Sequence, residues 1–86
     1  MIIEKSDRFK DELEAIIDFI AIDSINRALK FYDTLLLKIN EIPHNPYIYR
    51  KRISLNVENI RELIFQGYTV PFLIKIFGNK LVEINF

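Results

Sequence analysis

Three consecutive cations, Arg50, Lys51 and Arg52, are the densest chemistry in the chain. Guanidinium and ammonium groups in so short a run can grip phosphate or an acidic protein surface through charge-assisted hydrogen bonds. On an extended segment Arg50 and Arg52 point one way and Lys51 the other, so the three cannot all share a face. The same run also suits an edge strand protected from aggregation by charge. Residue types alone leave both readings open. Arg61 is a different case. It falls at the end of a strand face expected to lie under helices, where an unpaired charge is costly, so an internal salt bridge is expected rather than a target contact.

The other titratable groups carry less. His44 has a side chain that titrates near neutrality and could act as a general acid, but one loop histidine between prolines reads more simply as surface. Asp7, Asp11, Glu14 and Asp18 recur at helical spacing and could in principle serve as metal or acid–base carboxylates. They also form the solvated face opposite an apolar stripe, which is the plainer reading. The chain has no cysteine and one histidine. It therefore offers no disulfide, thiolate nucleophile or cysteine metal site, and a zinc site is not expected. No Ser-His-Asp arrangement or Gly-rich phosphate loop is present. No catalytic residue, metal or cofactor is assigned.

Eighty-six residues with 50% apolar content, including sixteen isoleucines and seven phenylalanines, describe one ordered domain spanning residues 1–86. A chain this short buries only about two thirds of its unfolded surface and must use its apolar residues efficiently. Net charge is zero, yet unevenly spread: residues 1–25 carry −4, residues 26–52 carry +4, and the remainder balances. Proteins dedicated to nucleic acid are usually basic throughout, because phosphate neutralisation dominates their affinity. Any such contact here would come from a local patch. The opening Met1-Ile2-Ile3-Glu4 reads as neither signal peptide nor membrane span, and a reducing cytoplasm fits.

These residues need elements to place them. Ile2 and Ile3 suggest a short opening strand. Ser6 or Asp7 can cap a first helix, on which Phe9, Leu13, Ile16, Ile17 and Ile20 form one stripe. Asp23-Ser24 breaks that pattern and starts a second helix, with Ile25, Ala28, Leu29, Tyr32, Leu35, Leu36, Ile39 and Ile42 at near-heptad spacing. A connector of two or three residues predicts an antiparallel helical hairpin. Pro43 ends the second helix. Pro43–Pro46 reads as loop, Tyr47–Ser54 as extended with room for a strand, and Asn56–Asn59 as a turn.

Ile60–Phe86 reads as a three-stranded antiparallel meander. Val70, Phe72, Ile74 and Ile76 alternate within Tyr68–Phe77, and Gln66-Gly67 and Gly78-Asn79 bracket that segment. Helices followed by a meander give an α+β class, the helical hairpin covering one face of the sheet. Gln66-Gly67 as a two-residue loop pairs Leu63 with Val70. For the second hairpin the expected register pairs Ile76 with Val82, Ile74 with Ile84, Phe72 with Phe86 and Lys75 with Glu83, keeping one face apolar. The covered face is then Leu63, Phe65, Val70, Phe72, Ile74, Ile76, Val82, Ile84 and Phe86. Ile60, Ile64, Thr69, Pro71, Leu73, Lys75, Phe77 and Leu81 fall on the other face. Pro71 implies a bulge or irregular pairing. A contiguous apolar cluster there suggests a partner site, with Ile64, Leu73, Phe77 and Leu81 as candidates, unless the Pro43–Asn59 segment folds over it.

Those residues also carry a resemblance. FKDELEAIIDFIAIDSINRALKFYDTLLLKINEIPHNP followed by RELIFQGYTVPFLIKIFGNKLVEINF resembles the RelE/ParE superfamily of bacterial toxins from toxin–antitoxin modules. The shared features are the helical hairpin, the Pro-containing loop, the basic Arg50–Arg52 stretch, the Arg61–Leu63 strand start, the Gly67-Tyr68 opening and the Val/Ile-rich last strand. The pattern spans essentially the whole chain without one diagnostic motif. It implies a strand, two helices and a meander, with the first strand pairing alongside the last.

The resemblance further implies a cognate antitoxin and one of two targets. RelE-like members cut ribosome-bound mRNA, using basic residues and a C-terminal acid or base. ParE-like members act on DNA gyrase without a known hydrolytic centre. Family members often carry Arg after the Gly-Tyr, where Thr69 stands here, and His, Arg or Tyr near the last strand's end, where the sequence closes on Phe86. Neutral charge departs from the nuclease branch as well. The ParE-like reading follows: a toxin that works by protein binding, with Arg50, Lys51 and Arg52 as target contacts, no cofactor and no membrane. The alternatives are a ribosome-dependent endoribonuclease using those cations and His44, or an inactive or truncated toxin that retains only antitoxin binding.

Overall fold

Two serines organise the helical half. In the computed structural model, which describes residues 2–51, 58–77 and 79–84, Ser6 sits in extended geometry and its Oγ accepts the Phe9 amide at 3.0 Å, opening α1 (Asp7–Asp23). Ser24 does two jobs at once. Its N–H donates to the Ile20 carbonyl and closes α1, and its Oγ accepts the Arg27 amide and opens α2 (Ile25–Glu41). Each such cap satisfies an otherwise orphaned amide and is worth about 1 kcal/mol. The connector is thus one residue, shorter than expected. α2 stops ahead of Pro43, and two short 3₁₀ turns follow, Ile42–His44 and Pro46–Ile48.

The sheet has five strands, ordered β1 (Ile2–Lys5), β5 (Asn79–Ile84), β4 (Tyr68–Phe77), β3 (Ile60–Phe65) and β2 (Arg50–Lys51). β1 pairs with β5, as the resemblance implied, and runs parallel to it; the other pairings are antiparallel. The α+β class holds. Of the expected Tyr47–Ser54 strand only Arg50–Lys51 is strand; Tyr47 and Ile48 belong to a 3₁₀ turn, and residues 52–54 lie outside the described residues.

Leu63 pairs with Val70, as expected. The intervening Gln66 and Gly67 take φ of 48° and 84°, the double positive φ that suits a two-residue hairpin to strand twist. The second hairpin differs. Ile74 faces Val82, Phe72 faces Ile84 and Phe77 faces Asn79, two residues away from the expected register. A slip of two keeps every side chain on its original face, so alternation cannot tell the two registers apart. Lys75 therefore stands opposite Leu81, and Glu83 opposite Leu73, in place of the expected cross-strand alignment of Lys75 with Glu83.

Pro71 makes no bulge: the β3–β4 register runs unbroken from Ile60↔Leu73 to Phe65↔Tyr68. The Ile74 amide donates to the Asn59 carbonyl at 2.8 Å. Since antiparallel pairs alternate, 59/74, 61/72 and 63/70 are the hydrogen-bonded pairs and Glu62/Pro71 is not. The amide that proline lacks would have pointed away from β3, toward β5, whose last described pair with β4 is Phe72↔Ile84. No described ladder bond is lost.

The core joins Phe9 and Leu13 of α1, Phe31, Leu35 and Ile39 of α2, Ile42 beyond it, and Leu63, Phe65, Val70, Phe72, Ile74 and Ile84 of the sheet. Each such side chain gains about 1.5–3 kcal/mol from burial. Ile76, Val82 and Phe86, also expected here, lie outside the described side chains. The α2 stripe is corrected. Ile25, Leu29 and Tyr32, expected inside, are exposed, and Phe31 takes their place. Its ring meets Phe65 and Tyr68 edge-on, at centroid distances of 5.2 and 5.7 Å. Ala28, Phe31, Leu35, Ile39 and Ile42 satisfy helical periodicity as well as the expected set does, and the aromatic contacts decide between them.

Candidate functional site

The cationic run reaches the sheet through β2, an edge strand described over Arg50 and Lys51. The ladder places Arg50 opposite Glu62 and Lys51 opposite Arg61. Glu62 is buried against this edge, and Arg50 Nε donates to its Oε1 at 2.6 Å. Lys51 turns to the other acid: its Nζ lies 2.7 Å from Glu58 Oε2. Arg52 lies outside the described residues.

Arg61 is the internal member of the group, 7% exposed. Its Nε donates to the Glu58 carbonyl at 2.9 Å, and its Nη1 donates to the carbonyls of Tyr47 at 2.7 Å and Tyr49 at 2.8 Å. Nη2 donates to Glu58 Oε1 at 2.7 Å, the internal salt bridge expected for this residue. The Tyr47 ring stacks below the guanidinium, 5.3 Å from centroid to Cζ, adding cation–π attraction. One planar fork thus gathers three main-chain carbonyls and a carboxylate, a geometry lysine cannot supply.

Three described cations face two carboxylates, leaving one net positive charge at this edge. The hydrogen bond from Lys51 holds the Glu58 carboxyl below its usual range; the Lys51 charge and Arg61 add to the shift, against a smaller effect of burial. Burial pushes the Tyr49 phenol above its usual value, with Glu41 contributing. Tyr49 therefore stays neutral at physiological pH, its ring packed edge-on against Phe72 at 5.4 Å. His44 is exposed in the Ile42–His44 turn, and Asp7, Asp11, Glu14 and Asp18 are all exposed on α1. Among the described residues no group of three or more His, Cys, Asp or Glu is placed to hold a metal ion.

Sequence reasoning found the cations and missed their partners. Glu58 was findable, because Glu-x-x-Arg spacing to Arg61 is a local ion-pair signal. Glu62 was not, because its pairing with Arg50 depends on the β2–β3 register.

Two apolar surfaces complete the picture. On the sheet face away from the helices, Ile64 is 47% exposed, while Ile60, Pro71 and Leu73 are half-buried. Phe77 and Leu81 hold strand positions opposite Asn79 and Lys75, and their side chains lie outside the described ones. The second surface is a groove of about 380 Å³ between the helices, floored by Phe9, Leu13 and Ile17, walled by Tyr32 and Leu36, and edged by Lys5, Lys10 and Glu14. Ile25 and Leu29 continue the Tyr32–Leu36 side of α2 and are 68% and 56% exposed. Of the stripe expected in the core, Tyr32 and Leu36 thus line this groove, while Ala28, Leu35, Ile39 and Ile42 are buried as expected.

No described helix is long and apolar enough to cross a membrane. Residues 3–84 match the family model described as the ParE toxin of the type II toxin–antitoxin system, parDE. No curated protein matches the chain.

Proposed function

Because this chain belongs to the ParE toxin family of type II toxin–antitoxin systems, we propose that residues 1–86 form a single toxin domain that acts in the cytoplasm by binding DNA gyrase. A cognate antitoxin neutralises it. The observation that carries the binding reading is the pairing of each described cation at the β2 edge with a carboxylate of the same chain. Cleavage chemistry on mRNA would call for guanidinium donors aimed at a phosphate, whereas those of Arg61 are spent on Tyr47, Tyr49 and Glu58. A paired cation at a rim still steers and aligns a protein partner. Arg50, Lys51 and Arg52 are the target contacts in this reading.

For the antitoxin, the groove between α1 and α2 supports docking of an amphipathic segment, with apolar anchors against Ile17, Leu29, Tyr32 and Leu36. The outer sheet face, with Ile64, Leu73, Phe77 and Leu81, is the second contact surface, and the exposure of Ile64 is what favours it. Purified protein should inhibit gyrase supercoiling and leave ribosome-bound mRNA intact. Cleavage of that mRNA without gyrase inhibition would overturn the reading in favour of an endoribonuclease. A protein inert in both assays that still binds antitoxin would mark an inactive toxin.

A further inference from the structure

Among the described residues β2 has two pairs with β3, and only one of them can be a hydrogen-bonded one. The alternation established by Ile74 and Asn59 turns the amides and carbonyls of residues 60, 62 and 64 outward from β4. Arg50/Glu62 is therefore the hydrogen-bonded pair and Lys51/Arg61 the open one. Fixing a backbone segment costs conformational entropy at every residue, and among the described residues one such pair stands against it for the run that leads out of the 3₁₀ turn at Pro46–Ile48. Bonds from the Arg61 side chain to the main chain of this run add to that pair.

We propose that Arg61 is a positioning residue: its buried guanidinium fixes the main chain on both sides of the cationic edge and so sets where Arg50 and Lys51 point. The fork reaches the carbonyls of Tyr47 and Tyr49 before the edge and of Glu58 after it. These three bonds go to main chain and do not depend on which side chains the segment carries. The Glu58 carboxylate supplies the fourth bond and is shared with Lys51. Glu58 is largely exposed, so its side chain can leave while the main-chain bonds stay. Arg61 itself is almost wholly covered and touches no target; it acts through the two arginine and lysine side chains it orients. The consequence for gyrase rests on the binding reading above, but the placement does not.

Amide hydrogen exchange followed by NMR tests the placement on the free chain. Arg61→Lys keeps the charge and loses the fork, so exchange at the Arg50 and Glu62 amides should rise tenfold or more relative to Val70 and Ile74 in the core. Glu58→Gln keeps the three main-chain bonds and should change those two amides by less than about threefold, since it weakens only the contacts of an exposed carboxylate with Arg61 Nη2 and Lys51. Unchanged protection of Arg50 and Glu62 in Arg61→Lys overturns the proposal. Should that variant fail to fold, the unmodified protein carries the test: slowly exchanging, separately resolved Arg61 Nη protons support the clasp, and rapidly averaged ones refute it. For the consequence, Arg61→Lys should weaken gyrase binding, and adding it to Arg50→Gln/Lys51→Gln should cost nothing further, because it acts through those residues. Fully additive losses refute positioning. A wild-type chain that does not bind gyrase refutes the function and leaves the exchange result standing.

Discussion

Replacing Phe31 with Ala and, separately, Leu29 with Lys separates the two faces of α2. Phe31 is 6% exposed and makes two edge-on aromatic contacts, whereas Leu29, two positions earlier, is 56% exposed. Truncating a buried phenylalanine costs about 3–5 kcal/mol through lost transfer energy and the cavity left behind. Two aromatic pairs, each worth about 0.5–1.5 kcal/mol beyond area, put Phe31 toward the upper end. A domain of 86 residues has only about 4–13 kcal/mol in total at 0.05–0.15 kcal/mol per residue. Phe31→Ala should therefore leave the protein marginally folded. Leu29→Lys removes little buried surface, keeps a good helix former and places an ammonium four residues before Asp33, so stability should stay within about 0.5 kcal/mol. Urea unfolding gives the first number directly: with a slope of about 1 kcal/mol/M, the Phe31→Ala midpoint should fall by about 3 M or more. Antitoxin affinity gives the second, since a charge set on the exposed α2 face beside the apolar groove should weaken binding at least tenfold while the free toxin stays folded. Equal destabilisation by the two substitutions would refute the α2 assignment, and with it the groove.

Two further outcomes follow from the sheet. Leu73→Asp should leave the free domain folded, whereas Ile74→Asp should unfold it, because Ile74 is 2% exposed and an unpaired carboxylate there has nothing to offset its lost hydration; circular dichroism of both variants decides, and equal loss of structure would invert the face assignment. The Glu58 carboxyl lies below its usual value in the folded chain, so its pairing stabilises the fold above about pH 4.5 and is lost as pH falls through the depressed folded value; a titration of the Glu58 side-chain carbon should show that low midpoint, and Lys51→Gln should move it back up.

What the sequence made legible was local chemistry. Ser6 and Ser24 announce helix starts because a hydroxyl before a helical stripe satisfies an orphaned amide, and Pro43 announces an end because it cannot donate one. Gln66-Gly67 set its hairpin register because two residues at positive φ leave a single way to pair the flanks. The Phe31 stripe was missed for a physical reason: α2 is apolar over two adjoining faces, so periodicity accepts either as the inner one. The pairing of β1 with β5 joins strands far apart in sequence, and only the family resemblance pointed to it; its parallel orientation comes from the structure.

The site failed to read for the same reason that the second hairpin did. A slip of two residues conserves alternation, so the wrong β4–β5 register looked as good as the right one until Phe72 was placed opposite Ile84. Charge pairing inherits that blindness. The expected alignment of Lys75 with Glu83 across the strands was an inference from register and gave way with it, while Arg50–Glu62 could not be proposed without one. Arg61 escaped because its assignment depended on burial rather than register: a cation on the helix-side face of β3 must find partners wherever the chain passes, and Tyr47, Tyr49 and Glu58 pass within its reach. In this fold the buried arginine is therefore the more informative cation. The exposed run Arg50–Lys51 shows what a partner could touch, and Arg61 explains why that run stands where it does.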